Sequence, residues 1–176
     1  MDSGNIGFVL LCAAFVFVMT PGLAMFYGGL VRKKNVVNTM MTSIFIIGVG
    51  IVMWVLFGYS LSFAPSGNAF IGDFRWLGLE GVSLTEGYTD DASIPNMVFS
   101  AFQMMFAVIT PALITGAVAG RMKFKSIFVF TIFWSLIVYY PLAHMVWGQG
   151  GLLGADGIGA LAVSYTHLRA HETGRN

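Results

Sequence analysis

The chain has 176 residues, of which 57% are hydrophobic and only 10% are charged, with nine Lys or Arg against eight Asp or Glu. A globular domain normally carries about a quarter charged residues, so this composition excludes an ordinary soluble fold, and its apolar content excludes intrinsic disorder. A formal net charge of +1 offers no basic field for nucleic acid, and the single cysteine excludes a disulfide framework or a cysteine metal cluster. The composition therefore predicts an integral membrane protein.

Four apolar segments are long enough to cross a hydrocarbon core of about 30 Å, which takes roughly 20 residues. In chain order they cover residues 6–31, 38–63, 96–120 and 126–147, and none contains a Lys, Arg, Asp or Glu. Because a helix satisfies its own backbone hydrogen bonds in lipid, each segment is predicted to be a spanning helix. The first is predicted to be retained rather than cleaved as a signal peptide, since no basic residue precedes it. The predicted fold class is all-α, a polytopic transmembrane helix bundle.

The charged residues between the segments orient the bundle. Two short turns are basic, whereas the long segment 64–95 carries five Asp or Glu against one Arg. Short loops rich in Lys and Arg face the cytoplasm, so the long acidic loop and the N-terminus are predicted to lie outside it. The two basic turns contain Arg32, Lys33 and Lys34 in the first and Arg121, Lys123 and Lys125 in the second.

The spans offer almost no ionisable side chain apart from His144, near the outer end of the fourth. A structural hydrogen-bonding role is favoured there over proton carriage. No motif of a metalloprotease, a serine hydrolase or a phosphate loop stands in a usable context, and no paired carboxylates do. We therefore expect no catalytic residues and no cofactor, and an intramembrane enzyme is disfavoured.

Aromatic rings beside small polar groups are the remaining candidates. Phe102 and Phe106 are four residues apart and share one helix face, with Gln103 adjacent, while Trp147 stands at the outer end of the fourth segment. Ordinary core packing explains the two phenylalanines equally well, and anchoring at the membrane interface explains Trp147 equally well. Periodicity alone leaves these alternatives open.

Small residues and prolines within the spans indicate close helix packing. Ala112, Gly116 and Gly120 are spaced by four and predict a stripe for helix contact. Prolines within or near the ends of spans can bend a helix, and Pro95 is interpreted as a helix-start signal. The prolines concerned are Pro21, Pro111 and Pro141.

Four motifs resemble hallmarks of the ammonium transporter (Amt/Rh) family, and its bacterial Amt branch in particular. They are MTPGLAMFYGGLVRKKN at 19–35, GYSLSF at 58–63, AFQMMF at 101–106 and PLAHMVWG at 141–148. They follow one another in the family's order and at the family's spacing, from residue 1 to about Leu161. As a set they are specific, although each is modest alone.

The resemblance implies the first four helices of an eleven-helix fold, a homotrimer in the cell membrane, and a narrow hydrophobic pore for ammonium or ammonia in each subunit. Carried over by motif, Trp147 and Phe102 would help to form an outer recruitment site, with Gln103 beside it, and Phe102 and Phe106 would form a stacked phenyl gate. Aromatic faces attract a cation by about 0.5–2 kcal/mol each, which is enough to gather ammonium without trapping it. Ammonium or ammonia and the lipid bilayer are therefore the expected partners.

The resemblance stops after Leu161. Where the family continues with an Asp and then Phe-Ala-Gly-Gly, this chain has Ala162, and residues 162–176 resemble read-through of a library adapter or cloning sequence. His167 and His171 share a helical spacing, but a metal site would need further ligands, so no metal is predicted. Residues 1–161 are thus interpreted as the N-terminal part of a transporter membrane domain, and the chain is expected to be a truncated, inactive fragment.

Two alternatives share the same helices. A membrane ammonium sensor would bind the ion without sustained transport, and a receptor should add a cytoplasmic signalling domain. A non-transporting structural membrane subunit, complete with four helices, would require its tail for folding.

Overall fold

A computed structural model describes residues 2–65, 68–89, 92–119 and 121–154, and across these ranges the regular structure is entirely helical. The predictions made for residues 155–176, including Ala162, His167 and His171, lie outside the described residues, as does Gly120 of the small-residue stripe. The all-α fold class is confirmed.

Four helices are long and apolar enough to cross a membrane: α1 (Ser3–Leu30), α2 (Lys33–Phe63), α3 (Asn96–Val118) and α4 (Phe124–Trp147). Helix α1 begins before the predicted residue 6 because the Asp2 carboxylate caps it, accepting a hydrogen bond from the Gly4 amide at 3.0 Å. Helix α2 begins earlier than residue 38 because a 3₁₀ turn, Lys33–Asn35, leads into it. Pro95 stands at the N-cap of α3, as the sequence predicted.

Two of the spans change helical pitch midway. Helix α2 contains a π-helical segment, Trp54–Gly58, and α4 contains another, Ser135–Tyr139. The first π segment packs against α4 just after the second one, because a Cβ at Gly58 would lie 2.7 Å from Cζ of Tyr140. Each π segment inserts one extra residue into its helix and so rotates the following side chains onto a new face.

Small residues bring the first three helices together. A Cβ at Gly28 of α1 would lie 2.9 Å from Cγ of Met40 on α2, and one at Gly116 of α3 would lie 2.4 Å from the ring of Tyr27 on α1. Ala112, one turn before Gly116, is fully buried. The predicted small-residue contact is thus confirmed for Ala112 and Gly116.

Aromatic rings hold together the half of the bundle that adjoins the long loop. Their edge-to-face and offset contacts join α2, α3 and α4 into one core. Four of the largest buried side chains of this core are Trp54, Tyr59, Phe63 and Tyr140.

The described part of the long loop packs onto this aromatic core. Trp76 stacks on Tyr59 with ring centroids 5.5 Å apart and an interplanar angle of 13°. Tyr88 stacks on Phe99 of α3 at 4.8 Å and 9°. The described part of the loop therefore covers the adjoining ends of α2 and α3.

Candidate functional site

The paired phenylalanines of α3 lie in contact, as their spacing predicts. The ring centroids of Phe102 and Phe106 are 5.1 Å apart, and both side chains are half-buried. Their planes meet at 79°, edge to face, rather than in the parallel stack that the resemblance implied. Edge-to-face contact places the positive rim of one ring against the negative face of the other, which is the favoured geometry of an aromatic pair.

A cavity of about 380 Å³ lies between α3 and α4, and both Phe106 and Trp147 line it. Phe102 joins this group through its contact with Phe106. Gln103, which follows Phe102 in α3, is half-buried and is not among the residues that line the cavity. The lining residues are Phe106, Thr110, Trp134, Val138, Tyr139, Leu142, Ala143, Val146 and Trp147.

The polar groups of the cavity are hydroxyls. Thr110 donates its hydroxyl proton to the Phe106 carbonyl oxygen at 2.6 Å, and the Tyr139 side chain interacts with Thr110. None of the described residues that line the cavity is charged. A small cation would thus meet ring faces and hydroxyl oxygens, which attract it without the strong hold of a carboxylate.

Trp147 lies at the end of α4 and remains 56% exposed. One turn earlier, His144 is completely buried, with Nδ1 at 3.1 Å from the Ser62 carbonyl oxygen and Nε2 at 3.0 Å from that of Asn68. The imidazole therefore links α4 to the chain segment that leaves α2. This contact supports the structural role predicted for His144.

The chain closes tightly over His144 after Trp147. A Cβ at Gly148 would lie 2.5 Å from Nδ1 of His144, and one at Gly151 would lie 2.2 Å from the His144 carbonyl oxygen. Gly150 adopts a φ of 78°, a left-handed conformation that favours glycine. The glycines of this turn thus let the backbone fold back beside the candidate site.

The long loop after α2 carries charged and titratable side chains whose surroundings the structure defines. The Asp73 carboxylate accepts hydrogen bonds from the Phe74 amide and the Arg75 guanidinium, and these lower its pKa from the usual value. Burial raises the pKa of Tyr88 to about 12, so its hydroxyl is neutral at physiological pH and accepts the Gln149 amide proton at 3.0 Å. The described part of the loop is acidic, with Asp73, Glu80 and Glu86 against Arg75, and an acidic surface attracts cations.

Several lining residues were not predicted from the sequence. Thr110 continues the spacing of Phe102 and Phe106 by four, and that spacing could have identified it. Val138 and Tyr139 both line the cavity because they lie in the π segment of α4, where the extra residue widens the exposed face. No simple helical period predicts that widening.

The sequence pattern of the Ammonium Transporter Family matches residues 7–164 of the chain. The chain belongs to this family. This Ammonium Transporter Family member is 50% identical over 157 residues to the ammonium transporter of Bacillus subtilis (strain 168), covering 88% of this chain and 38% of that protein. It therefore spans well under half the length of that relative. The family is one of transporters rather than of enzymes.

Solved structures agree with this membership. The crystal structure of Mep2 from Saccharomyces cerevisiae superposes with a TM-score of 0.77 at 35% identity, covering 87% of this chain and 36% of that chain. Mep2 from Candida albicans gives a TM-score of 0.76 at 30% identity, covering 87% and 33% of the two chains. The family member thus shares its helical fold with membrane proteins of this class.

Proposed function

We propose that the protein provides part of a narrow hydrophobic pore for transmembrane transport of ammonium or ammonia, with Phe102, Phe106 and Trp147 as its ring-lined entrance. The observation that supports this proposal most directly is the uncharged cavity shared by Phe106 and Trp147, with Phe102 against Phe106. The family membership and the ammonium transporter of Bacillus subtilis support the choice of substrate.

In this proposal Trp147 and Phe102 recruit the ammonium ion, and Gln103 lies beside that site as a weaker contact. Each ring face contributes about 0.5–2 kcal/mol, and partial exposure of Trp147 leaves room for an ion to arrive from water. The amide oxygen of Gln103 would accept an N–H donor from the substrate.

Phe102 and Phe106 then act as the gate beneath the recruitment site. Moving an isolated ion into an apolar medium costs on the order of tens of kcal/mol in the idealised limit, far more than two ring faces can offset. Passage as neutral ammonia, with the proton carried separately, removes that cost. The absence of charge among the described lining residues favours this route over a bare ion path.

The whole assembly is proposed to be a homotrimer in the cell membrane, with the N-terminus outside the cytoplasm. Opposite charge at the two ends of the bundle supports the orientation, since the basic turns follow α1 and α3 and the acidic loop follows α2. Many apolar side chains of α1 are exposed, which suits contact with lipid or with a neighbouring subunit. Among them are Phe8, Phe15, Met25 and Leu30.

We further propose that the 176-residue chain conducts no ammonium by itself. Purified chain reconstituted into liposomes should give no ammonium-driven current above that of empty liposomes. A robust current that Trp147→Ala reduces would overturn this statement.

Binding tests the recruitment site independently of conduction. In detergent micelles, methylammonium should bind weakly to the chain, and Trp147→Leu should lower its affinity several-fold, since one ring contributes about 0.5–2 kcal/mol. Phe133→Leu is a matched control, because Phe133 is also exposed on α4 but does not line the cavity. Equal effects of the two substitutions would refute the site.

A further inference from the structure

A second, polar cavity lies at the end of the bundle opposite to Trp147. It has a volume of about 480 Å³ and lies where α1 and α3 end and α2 begins. Arg32, Lys34 and Arg121 line it together with Asn35, and the apolar side chains of Leu30 and Val31 form one wall.

The three cations of this cavity have no carboxylate partner among the described residues. The described carboxylates belong to Asp2, at the start of α1, and to the loop after α2, at the other end of the bundle. Within the described ranges the one ion pair joins Arg75 to Asp73 in that loop. The positive charge of the cavity is therefore not neutralised by this part of the chain.

Helix ends adjust this charge without removing it. The C-terminal ends of α1 and α3 each contribute roughly half a negative charge, and the N-terminal end of α2 contributes roughly half a positive charge. The 3₁₀ turn Lys33–Asn35 already supplies a backbone acceptor for the first amide of the segment Val36–Met53, since the Val36 amide donates to the Lys33 carbonyl oxygen. The cavity keeps roughly two and a half positive charges.

We propose that this cavity binds a phosphate group, supplied by the headgroup of an anionic phospholipid. Two guanidinium groups can each hold phosphate oxygens in a forked pair of hydrogen bonds, and Lys34 adds a compact charge. The exposed Leu30 and the adjacent Val31 offer an apolar surface for the acyl chains, which a free phosphate would not use. The site is separate from the ring-lined cavity and does not depend on the proposed transport function.

The test is native mass spectrometry of the 176-residue chain in detergent, titrated with phosphatidylglycerol and, for comparison, with zwitterionic phosphatidylcholine. Each Lys or Arg near an anionic headgroup contributes about fivefold in affinity, equivalent to about 1 kcal/mol. The pocket triple variant, Arg32→Gln/Lys34→Gln/Arg121→Gln, should therefore lose at least about tenfold in affinity for phosphatidylglycerol, and less for phosphatidylcholine, whose phosphate is balanced by its own choline cation.

The control triple variant, Lys33→Gln/Lys123→Gln/Lys125→Gln, removes the same charge from the same end of the bundle without touching the cavity lining. It should lose less than about threefold, because only screened long-range attraction changes. Equal losses in the two triple variants would overturn the proposal in favour of diffuse attraction.

Two further measurements keep the result decisive. If the pocket triple variant does not give the helical circular dichroism of the wild type, the single variant Lys34→Gln should still lose about fivefold, and no loss would overturn the proposal. Excess inorganic phosphate added to the lipid complex distinguishes the two sources of phosphate. Retention of the lipid supports a headgroup site, and full displacement would overturn the lipid assignment in favour of a free anion.

Discussion

The contact between Gly58, at the end of the π segment of α2, and Tyr140, just after the π segment of α4, can be tested with one methyl group. Gly58 has helical dihedral angles, φ −61° and ψ −47°, so alanine fits its backbone without strain. The added Cβ would nevertheless lie 2.7 Å from Cζ of Tyr140 and 2.8 Å from Cε3 of Trp54, and both rings are 1% exposed. Rings held this tightly cannot move aside without disturbing the aromatic core.

The magnitude follows from a matched pair of substitutions in the same helix. Replacing a helical Gly by Ala gains about 0.5–1 kcal/mol from backbone entropy, and Gly48→Ala in α2 should show only this gain, because nothing lies within 4 Å of its Cβ. Gly58→Ala should add a cost of about 1–3 kcal/mol for overpacking. The propensity contribution cancels in the comparison, so Gly58→Ala should be less stable than Gly48→Ala by about 1–3 kcal/mol.

Unfolding in mixed micelles, followed by circular dichroism, measures both free energies of unfolding. The reasoning is refuted if the two alanine variants agree within about 0.5 kcal/mol, which is the usual scatter for neutral surface substitutions. Such agreement would mean that Gly58 is not in rigid contact with the rings of Tyr140 and Trp54.

Three further predictions use the same unfolding assay. Gly116→Ala should be less stable than Gly22→Ala by about 1–3 kcal/mol, because its Cβ meets the ring of Tyr27 whereas the Cβ at Gly22 has open space around it. His144→Leu should cost about 1–3 kcal/mol because it removes the imidazole that reaches the carbonyl oxygens of Ser62 and Asn68, and a loss below about 0.5 kcal/mol would contradict the link between α4 and the loop. The pKa of Tyr88 is raised to about 12 in the folded state, which stabilises the fold below pH 10. This contribution should disappear as the pH rises from 10 to 12, because Tyr88 of the unfolded chain ionises first. Tyr88→Phe should therefore lose less stability over this pH range than the wild type.

The four spans could be predicted because apolar length is a property of the sequence alone. Their ends could not be, since Asp2 extends α1 by capping it and the 3₁₀ turn Lys33–Asn35 extends α2. The π segments also escaped prediction, because their sequences, WVLFG and SLIVY, carry no periodic mark. The two helices pack together where their pitch changes, since Gly58 ends the first π segment and contacts Tyr140, which follows the second.

The candidate site, too, could be predicted from the sequence only in part. Contact between Phe102 and Phe106 follows from a spacing of four on one helix, and the structure shows it. The shared cavity of Phe106 and Trp147 depends on how α3 and α4 lie beside each other, which residue periodicity does not encode. Only the resemblance of whole motifs to a known family connected these residues before the fold was known.

The outer loop adds a consequence for how family members diverge. Gln149, two residues after Trp147, bonds through its side chain to the Tyr88 carbonyl oxygen at 2.7 Å, and the Leu152 amide bonds to the Ala69 carbonyl oxygen at 3.0 Å. The turn that follows Trp147 is thus anchored by residues that a topology diagram draws as a connector. In the proposed function, exchanging this loop between relatives, or inserting residues into it, would change recruitment at Trp147 without changing any ring of the proposed pore.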